Sequence, residues 1–379
     1  MSIVPGAPMK VLFVIGTRPE AIKVKPVFQE MLANDFFEPL VASTDQQKDL
    51  LPEIIQSLEI EPNFLPTASL QKTGPADFVS GAIAFLSDVV KECKPDVVLV
   101  HGDTSSALAG ALAGFLNRVA VGHIEAGLRT NDLDAPYPEE AYRQMIARVS
   151  NYNFAPTEMA KQNLMSEGVR EDRILVTGNT IVDAVRDFQE NGEISESTAV
   201  TKSTLGAEKP YCVVTLHRRE NQGNRILRSL EIIERDLAGS GIHILVVKHP
   251  NPRVLESLAT IGGRSKNLSM IDPMKYLDFL SLISKSELLI TDSGGIQEEA
   301  VTLGVQAFVV RDRTERPEGI TTGLVRLVGN DSRDLSKAIS EFLESRRNSE
   351  SVAHERENPY GDGHASTKIV RFLEEIWGL

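Results

Sequence analysis

Residues 288–300 read L-L-I-T-D-S-G-G-I-Q-E-E-A, an apolar run of strand length that passes through a glycine turn into the start of a helix. This change of pattern is typical of a strand, a tight turn and a helix in an α/β protein. Because glycines let a ligand approach the main chain and a helix N-terminus carries partial positive charge, the turn at Ser293, Gly294 and Gly295 suits a phosphate group. An ordinary strand-to-helix turn has the same pattern, so this stretch alone leaves both interpretations open.

Two acids follow one turn into the predicted helix, at Glu298 and Glu299. A carboxylate in this position can accept hydrogen bonds from a ribose diol, whereas simple packing requires no acid there. The acids therefore favour a nucleotide ligand.

The composition is that of an ordinary globular protein. The chain has 379 residues, of which 41% are hydrophobic and 25% charged, and its length predicts about two domains. A formal net charge of -13 argues against a partner such as nucleic acid or an anionic membrane. Any anionic ligand must therefore be held by local positive groups.

The two cysteines, Cys93 and Cys212, are far apart and lack the Cys/His spacing of a zinc site. We therefore expect neither a structural metal nor a disulfide framework. Residues 1–9 lack the features of a secretory leader, and no apolar run approaches the length of a membrane span. These features predict a cytoplasmic protein.

Strand and helix patterns alternate along the whole chain. Apolar runs of strand length occupy residues 11–15, 39–43, 97–100, 119–124, 152–155 and 174–177 in the first half, and residues 212–216, 242–247, 268–271, 288–290 and 307–310 in the second. Helical patterns lie between most of these runs, including one at residues 50–58. The alternation predicts two doubly wound α/β domains, residues 1–190 and 191–363. A final helix within residues 364–379 follows a turn cluster and is expected to return to the first domain.

Acids follow two neighbouring predicted strands of the first domain. Asp103 comes after the run at 97–100 and Glu125 after the run at 119–124. The carboxyl ends of parallel strands form the edge where open α/β folds bind ligands, so both acids are candidate site residues. Asp103 is equally suited to cap the helix that follows it. Glu139 opens a later helix, where an acid is an ordinary partner of the helix dipole.

Basic side chains follow the first strand of each domain. Arg18 and Lys23 flank the start of the first helix and are candidate anion contacts. His217 ends the first strand of the second domain beside two arginines, where it can donate to a phosphate or move a proton near neutral pH.

Nine spaced motifs resemble those of the non-hydrolysing UDP-N-acetylglucosamine 2-epimerases. They are G-T-R-P-E-A-I-K at 16–23, H-G-D-T at 101–104, G-H-I-E-A-G-L-R-T at 122–130, P-E-E-A at 138–141, T-G-N-T-I-V-D-A at 177–184, H-R-R-E-N at 217–221, D-S-G-G-I-Q-E-E-A at 292–300, R-D-R-T-E-R-P-E at 311–318 and N-P-Y-G-D-G at 358–363. The resemblance covers nearly the whole chain. It implies a glycosyltransferase-B type fold, with two Rossmann-like domains facing across a cleft.

The resemblance also implies an activity, the interconversion of UDP-N-acetylglucosamine and UDP-N-acetylmannosamine without metal or nicotinamide, usually by a homodimer. UDP leaves first, which makes the C2 proton acidic; a base removes it to give 2-acetamidoglucal, and UDP adds back after reprotonation on the other face. The matching catalytic positions are Asp103, Glu125, Glu139 and His217, and the matching UDP-binding positions are Arg18, Lys23, Phe279, Ser293, Gly294, Gly295, Glu299 and Arg316. Asp103 and Glu125 are expected to move protons and Glu139 to stabilise ring charge.

The chain departs from the family pattern at the T-D-Q-Q of residues 44–47, at Tyr142 and at Met274. The first two lie near a second, regulatory UDP-sugar site of bacterial members, and they leave room for a modified substrate such as a UDP-2,3-diacetamido uronic acid. Three further interpretations remain. The first is a hydrolysing epimerase, although that branch typically lacks P-E-A-I-K in the first loop. The second is a glycosyltransferase of the same fold, which would need an acceptor site. The third is a non-catalytic UDP-sugar sensor, which would bind its ligand without turnover.

Overall fold

The computed structural model describes residues 7–47, 60–70, 74–194, 203–205, 209–218, 224–249, 251–259, 267–329, 332–348 and 357–378. The chain divides into two compact units. The first unit comprises Met1–Ala184 together with Tyr360–Leu379, and the second unit comprises Val185–Pro359. Each unit is built on a parallel six-stranded sheet.

The sheet of the first unit has the strand order β2-β1-β3-β4-β5-β6. Its strands are β1 (Met9–Ile15), β2 (Phe37–Ser43), β3 (Val97–His101), β4 (Ala120–Ile124), β5 (Tyr152–Ala155) and β6 (Ile174–Val176). The helices that follow these strands in turn are α1 (Arg18–Leu32), α2 (Pro75–Cys93), α3 (Ser105–Leu116), α4 (Glu139–Val149), α5 (Glu158–Ser166) and α6 (Thr180–Glu190), with a 3-10 turn at Glu171–Arg173 before β6.

The middle of this sheet is covered on both faces. All five residues of β3 are buried, as expected for a strand that is apolar throughout. Helix α3 packs closely on it because the helix is rich in alanine and glycine. A Cβ atom on Gly110 would lie 2.9 Å from Val100 Cγ1, and one on Gly114 would lie 2.8 Å from Val121 Cγ2. These small residues allow α3 to pack close to the sheet.

The register of β3 and β4 brings the residues that follow these strands together. His101 is paired with Ile124, and the Gly102 N–H donates to the Ile124 carbonyl at 2.9 Å. Asp103 and Glu125 therefore leave the same edge of the sheet from adjacent strands.

The last helix, α13 (Ala365–Ile376), belongs to the first unit. The ring of Phe372 packs edge-on against Tyr152 and Phe154 of β5, with centroid distances of 5.7 and 5.6 Å. The helix start is held by Asp183, whose carboxylate accepts from the Ser366 N–H at 2.7 Å and hydroxyl at 2.8 Å.

The sheet of the second unit has the order β12-β11-β10-β7-β8-β9. Its strands are β7 (Tyr211–Thr215), β8 (His243–Val247), β9 (Leu268–Ile271), β10 (Leu288–Thr291), β11 (Ala307–Val309) and β12 (Val325–Leu327). Its helices are α7 (Asn224–Leu237), α8 (Pro252–Ala259), α9 (Tyr276–Ser284), α10 (Gly294–Thr302), α11 (Glu318–Thr321) and α12 (Ser332–Arg347). Because the strand order reverses between β7 and β10, the loops after these two strands lie at a topological switch point.

The predicted fold class, two doubly wound Rossmann-like domains, is confirmed. Strand β12 is an addition to the prediction. Its three residues, V-R-L, carry an arginine in the middle and are too short to give an apolar run. The helix predicted at residues 50–58 lies outside the described residues.

Candidate functional site

Asp103 does not cap helix α3. The N-cap is Thr104, whose hydroxyl accepts from the Ala107 N–H at 2.9 Å. The capping interpretation of Asp103 is therefore wrong, because the neighbouring threonine performs that role. The Asp103 carboxylate instead accepts a hydrogen bond from the buried guanidinium of Arg143.

Arg143 is itself held by a second acid. Glu140 is fully buried, lies 3.2 Å from Arg143, and accepts the N–H groups of Thr130 and Asn131 at 3.0 and 3.1 Å. Sequence analysis missed Arg143. The available signal was its spacing, because positions i and i+3 or i+4 of a helix share a face, and Arg143 follows Glu140 and Glu139 at these intervals.

Glu139 opens helix α4 and is half-buried. Within the described part of the chain, its carboxylate forms no hydrogen bond or ion pair. Its link to the other candidate acids is indirect, since Glu139 lies one helical turn before Arg143 on the same face of α4. The structure therefore joins Asp103 to Arg143 directly and brings Glu139 to the same helix face.

Glu125 occupies an uncommon backbone conformation. Its φ of 64° lies in the left-handed region, which costs a non-glycine residue on the order of 1–3 kcal/mol and is typical of functional sites. Its carboxylate is buried and its Oε2 atom contacts the ammonium of Lys23 and the Asn179 Nδ2 atom, the latter at 2.8 Å. His101 Nε2 lies 3.9 Å from the same oxygen.

A buried histidine ties the two acidic turns together. His123 of β4 has its Nε2 atom 2.8 Å from the Gly102 carbonyl, which can only accept, so Nε2 carries the hydrogen. Burial lowers the pKa of His123 to about 4, and the imidazole is neutral at physiological pH. His123 is thus a fixed hydrogen-bond donor that supports the turn carrying Asp103.

Both predicted cations lie in the first two turns of α1, just after the loop that follows β1. The Lys23 ammonium forms an ion pair with Glu125. Arg18 is half-buried, and its main-chain N–H donates to Gln47 Oε1 at 3.0 Å. Among the described residues the Arg18 guanidinium forms no ion pair. Gln46 is similarly engaged, since its side-chain carbonyl accepts from the Ser106 N–H at 3.1 Å and hydroxyl at 2.7 Å.

Glu20 connects this loop to the turn of Asp103. Its Oε2 atom accepts the N–H groups of Gly16 and Thr17 at 3.0 and 2.7 Å, and its Oε1 atom accepts the Thr104 hydroxyl at 2.5 Å. Burial raises the pKa of Glu20 to about 7, although each of these hydrogen bonds opposes that change. The residue was not singled out from the sequence.

In the second unit, the glycine turn begins helix α10. Ser293 is the N-cap, and no side chain caps the helix. The first N–H groups of a helix have no partner within it, so they point out of its N-terminus. Gly295 has open space where a side chain would begin, with no described atom within 4 Å, whereas a Cβ atom on Gly294 would lie 2.7 Å from Arg316 Nη1.

Acids hold Arg316 in place against this turn. Its Nε atom lies 2.9 Å from Glu298 Oε1, and its Nη1 atom donates to Glu315. The Glu299 carboxylate, one position further along α10, accepts the Tyr276 hydroxyl at 2.8 Å. The two acids of the opening stretch thus differ in role, because Glu298 anchors an arginine and Glu299 contacts a tyrosine. Phe279 follows Tyr276 by three residues on α9 and is half-buried.

His217 follows β7, the neighbour of β10. The buried carboxylate of Asp292 accepts the N–H groups of His217 and Arg218, each at 2.9 Å, and lies 3.4 Å from His217 Nδ1. The imidazole stacks on His249 with a centroid distance of 4.6 Å and an angle of 4°. Asp292 thus orients the histidine, and Arg219 lies outside the described residues.

Two features bear on the environment of these residues. In the described residues, no group of three or more His, Cys, Asp or Glu side chains could hold a metal ion. No helix within the described ranges is both long and apolar enough to cross a membrane.

Comparison with known proteins identifies relatives that cover nearly the whole chain. A family model described as UDP-N-acetylglucosamine 2-epimerase matches residues 29–374. The UDP-N-acetylglucosamine 2-epimerase of Escherichia coli (strain K12) is 40% identical over 375 residues, covering 97% of this chain and 98% of that protein. The crystal structure of the Neisseria meningitidis UDP-GlcNAc 2-epimerase bound to UDP-GlcNAc is 38% identical, with a TM-score of 0.88 over 97% of this chain and 100% of that chain. The Methanocaldococcus jannaschii enzyme in complex with UDP-GlcNAc and UDP is 34% identical, with a TM-score of 0.82 over 97% and 100% of the two chains.

Proposed function

Because the chain belongs to the UDP-N-acetylglucosamine 2-epimerase family, we propose that it interconverts UDP-N-acetylglucosamine and UDP-N-acetylmannosamine by inverting C2 of the sugar. One observation carries this proposal. Two acids leave adjacent strands at one sheet edge, and each has its own cation, Arg143 for Asp103 and Lys23 for Glu125. Such a pair can remove a proton from one face of a ring and supply a proton to the other.

The reaction begins with the bond between C1 and the UDP oxygen. As this bond breaks, its electron pair leaves with UDP and the ring becomes an oxocarbenium ion, which makes the C2 hydrogen acidic. A carboxylate takes this proton, and the C2–H electron pair forms the C1=C2 double bond of 2-acetamidoglucal. A protonated acid then delivers a proton to the opposite face of C2, and the UDP oxygen returns its electron pair to C1. No atom is gained or lost overall.

We assign the proton transfers to Asp103 and Glu125. Their neighbours support this assignment, since the cation in contact with each carboxylate fixes its position at the edge of the sheet. Glu139 is assigned to the stabilisation of positive charge on the ring, because its carboxylate has no cationic partner among the described residues.

The diphosphate is assigned to the start of α10. Fixed N–H dipoles and a preorganised arginine stabilise the charge of a leaving UDP better than water does. Support comes from the uncapped N-terminus at Ser293, the open space at Gly295 and the Arg316 guanidinium against Gly294. His217, oriented by Asp292, is assigned to a phosphate oxygen, to which it donates a hydrogen bond or a proton.

The remaining nucleotide contacts are assigned from the family resemblance. Glu299 is assigned to the ribose hydroxyls and Phe279 to the uracil side. Arg18 is assigned to the diphosphate because its guanidinium forms no ion pair among the described residues. Lys23 retains a predicted diphosphate contact in addition to its ion pair with Glu125.

The family resemblance extends the proposal to a cytoplasmic homodimer with a second, regulatory UDP-sugar. Gln46 and Gln47 belong to the segment that departs from the family pattern, residues 44–47. Their side-chain carbonyls accept hydrogen bonds from Ser106 and Arg18. Sedimentation of the purified protein tests the dimer. A sigmoidal dependence of rate on UDP-N-acetylglucosamine supports the regulatory sugar, and a hyperbolic dependence contradicts it.

The activity is tested by incubating the protein with UDP-N-acetylglucosamine in D2O, without an acceptor, and following the sugar C2 proton by NMR. We expect deuterium at C2 and the appearance of UDP-N-acetylmannosamine. Intact substrate without exchange would overturn the proposal. Free N-acetylmannosamine would instead indicate the hydrolysing reaction.

A further inference from the structure

The T-G-N-T and N-P-Y-G-D-G motifs have no part in the proposed chemistry, yet the first contacts Glu125 and the second contacts the first. Asn179, from the first motif, precedes helix α6 and is buried. Its Oδ1 atom accepts a hydrogen bond from the Ile181 N–H at 3.2 Å. Because an N–H group can only donate, the atom facing Ile181 must be the amide oxygen. The orientation of the amide is thereby fixed, and its NH2 group must be the part that contacts Glu125 Oε2 at 2.8 Å.

The second motif holds the main chain of the first. The Asn179 N–H donates to the carbonyl of the buried Tyr360 at 2.6 Å. Gly178 and Gly361 have φ values of 90° and 123°, and a Cβ atom on Gly361 would lie 2.9 Å from Gly178 Cα. Two glycines are therefore required for the backbones to approach this closely. The segment after the second unit thus fixes the position of Asn179.

We propose that Asn179 is a positioning residue for Glu125, holding its carboxylate in the rotamer that proton exchange at the sugar requires. The proposal rests on the proposed function, in which Glu125 exchanges the C2 proton. A carboxylate that receives two donors on one oxygen is fixed in orientation, and reaction rates depend steeply on such positioning. The left-handed backbone of Glu125 requires surrounding contacts to maintain it, and Asn179 supplies one of them.

The charge around Glu125 comes from several elements. Lys23 of α1 contributes a cation in contact, His101 of β3 lies 3.9 Å away, and His123 of β4 is neutral because burial lowers its pKa to about 4. Asn179 donates to the Glu125 carboxylate without adding a charge. An Asn179→Asp substitution would place a second carboxylate against Glu125, and two such groups share a proton to higher pH than one alone.

The test compares Asn179→Ala and Asn179→Asp with wild type, using the full chain and UDP-N-acetylglucosamine. We expect Asn179→Ala to lower kcat by about 10- to 100-fold with KM changed by less than about threefold. For Asn179→Asp, we expect the acidic limb of the kcat profile to move upward by about one pH unit or more. The matched control is Ser366→Ala, which removes a buried hydrogen bond to Asp183 one helical turn along the same junction and leaves Glu125 untouched.

Retained UDP affinity and circular dichroism establish that each variant is folded. If Asn179→Ala does not fold, the pH profile of the nearly isosteric Asn179→Asp variant tests the inference instead. Wild-type kcat and pH profile in the Asn179 variants would overturn the inference, as would an equal loss of kcat in Ser366→Ala. A wild-type protein without C2 exchange would instead overturn the proposed function, so the two failures are distinct.

Discussion

Arg143 donates to the carboxylate of Asp103 across 40 residues of chain. The guanidinium lies between two acids, since Glu140 contacts its other side at 3.2 Å. Because Glu140 also holds the loop at Thr130 and Asn131, the position of Asp103 depends on the fold of α4 as well as on its own turn. The orientation of a candidate catalytic acid is thus a tertiary property.

Replacement of Arg143 by lysine is expected to impair proton transfer. A lysine retains the charge but lacks the planar fork that contacts Asp103 and Glu140 together, so Asp103 loses its fixed orientation. We expect Arg143→Lys to lower kcat by about 100-fold, with the dissociation constant for UDP changed by less than about threefold. Steady-state kinetics and calorimetry measure the two effects. Gln144→Ala is the control, since it removes only a hydrogen bond to Glu140; wild-type kcat in Arg143→Lys would contradict the assignment.

The two glycines of the α10 turn should respond differently to alanine. A Cβ atom on Gly294 would meet Glu315 Oε1 at 2.5 Å and Arg316 Nη1 at 2.7 Å, whereas one on Gly295 meets no described atom within 4 Å. Gly294→Ala is therefore expected to lower the melting temperature. Gly295→Ala should leave the melting temperature unchanged and weaken UDP binding by about tenfold, if the diphosphate lies against the main chain. Unchanged UDP affinity in Gly295→Ala would show that no phosphate occupies this position.

Arg316 is expected to contribute directly to UDP affinity. Its guanidinium is preorganised by Glu298 and Glu315, so it can contact a phosphate with little loss of side-chain entropy. We expect Arg316→Ala to raise the dissociation constant for UDP by about 10- to 100-fold, measured by calorimetry. The exposed Arg313 provides the control, because Arg313→Ala removes the same charge from an exposed side chain of the same loop. If both substitutions raised the dissociation constant for UDP equally, Arg316 would contribute only its charge and not a direct phosphate contact.

The strands and the edge that carries the site could be predicted from the sequence. The runs at 97–100 and 288–290 lie within β3 and β10, because a strand buried in a parallel sheet is apolar along nearly its whole length. The acids after β3 and β4 could be placed on one edge because the carboxyl ends of parallel strands share an edge of the sheet. Strand β12 could not be predicted, since its three residues are held by pairing with β11 rather than by their own pattern.

The partner of each polar side chain could not be predicted. Asp103 and Thr104 are both favoured caps, and the deciding contact comes from Arg143, which is distant in sequence. Lys23 is predicted as an anion contact, and its ammonium lies on Glu125. Asp292 belongs to the stretch that begins the sequence argument, but its partners are N–H groups after β7, the neighbouring strand. Local patterns identify the edge of a sheet, whereas long-range packing selects the contacts made there.

Glu20 is expected to make stability depend on pH near neutrality. Burial raises its pKa from 4.5 to about 7, so the native protein binds this proton more tightly than the unfolded chain. The resulting stabilisation is complete below about pH 4.5 and is lost as the pH rises through 7, a change of about 3 kcal/mol. Urea unfolding of wild type and Glu20→Gln across this range isolates the effect, because the glutamine cannot titrate. The stability of wild type relative to the variant should fall as the pH rises. A constant difference would show that the hydrogen bonds from Gly16, Thr17 and Thr104 keep the carboxylate ionised despite its burial.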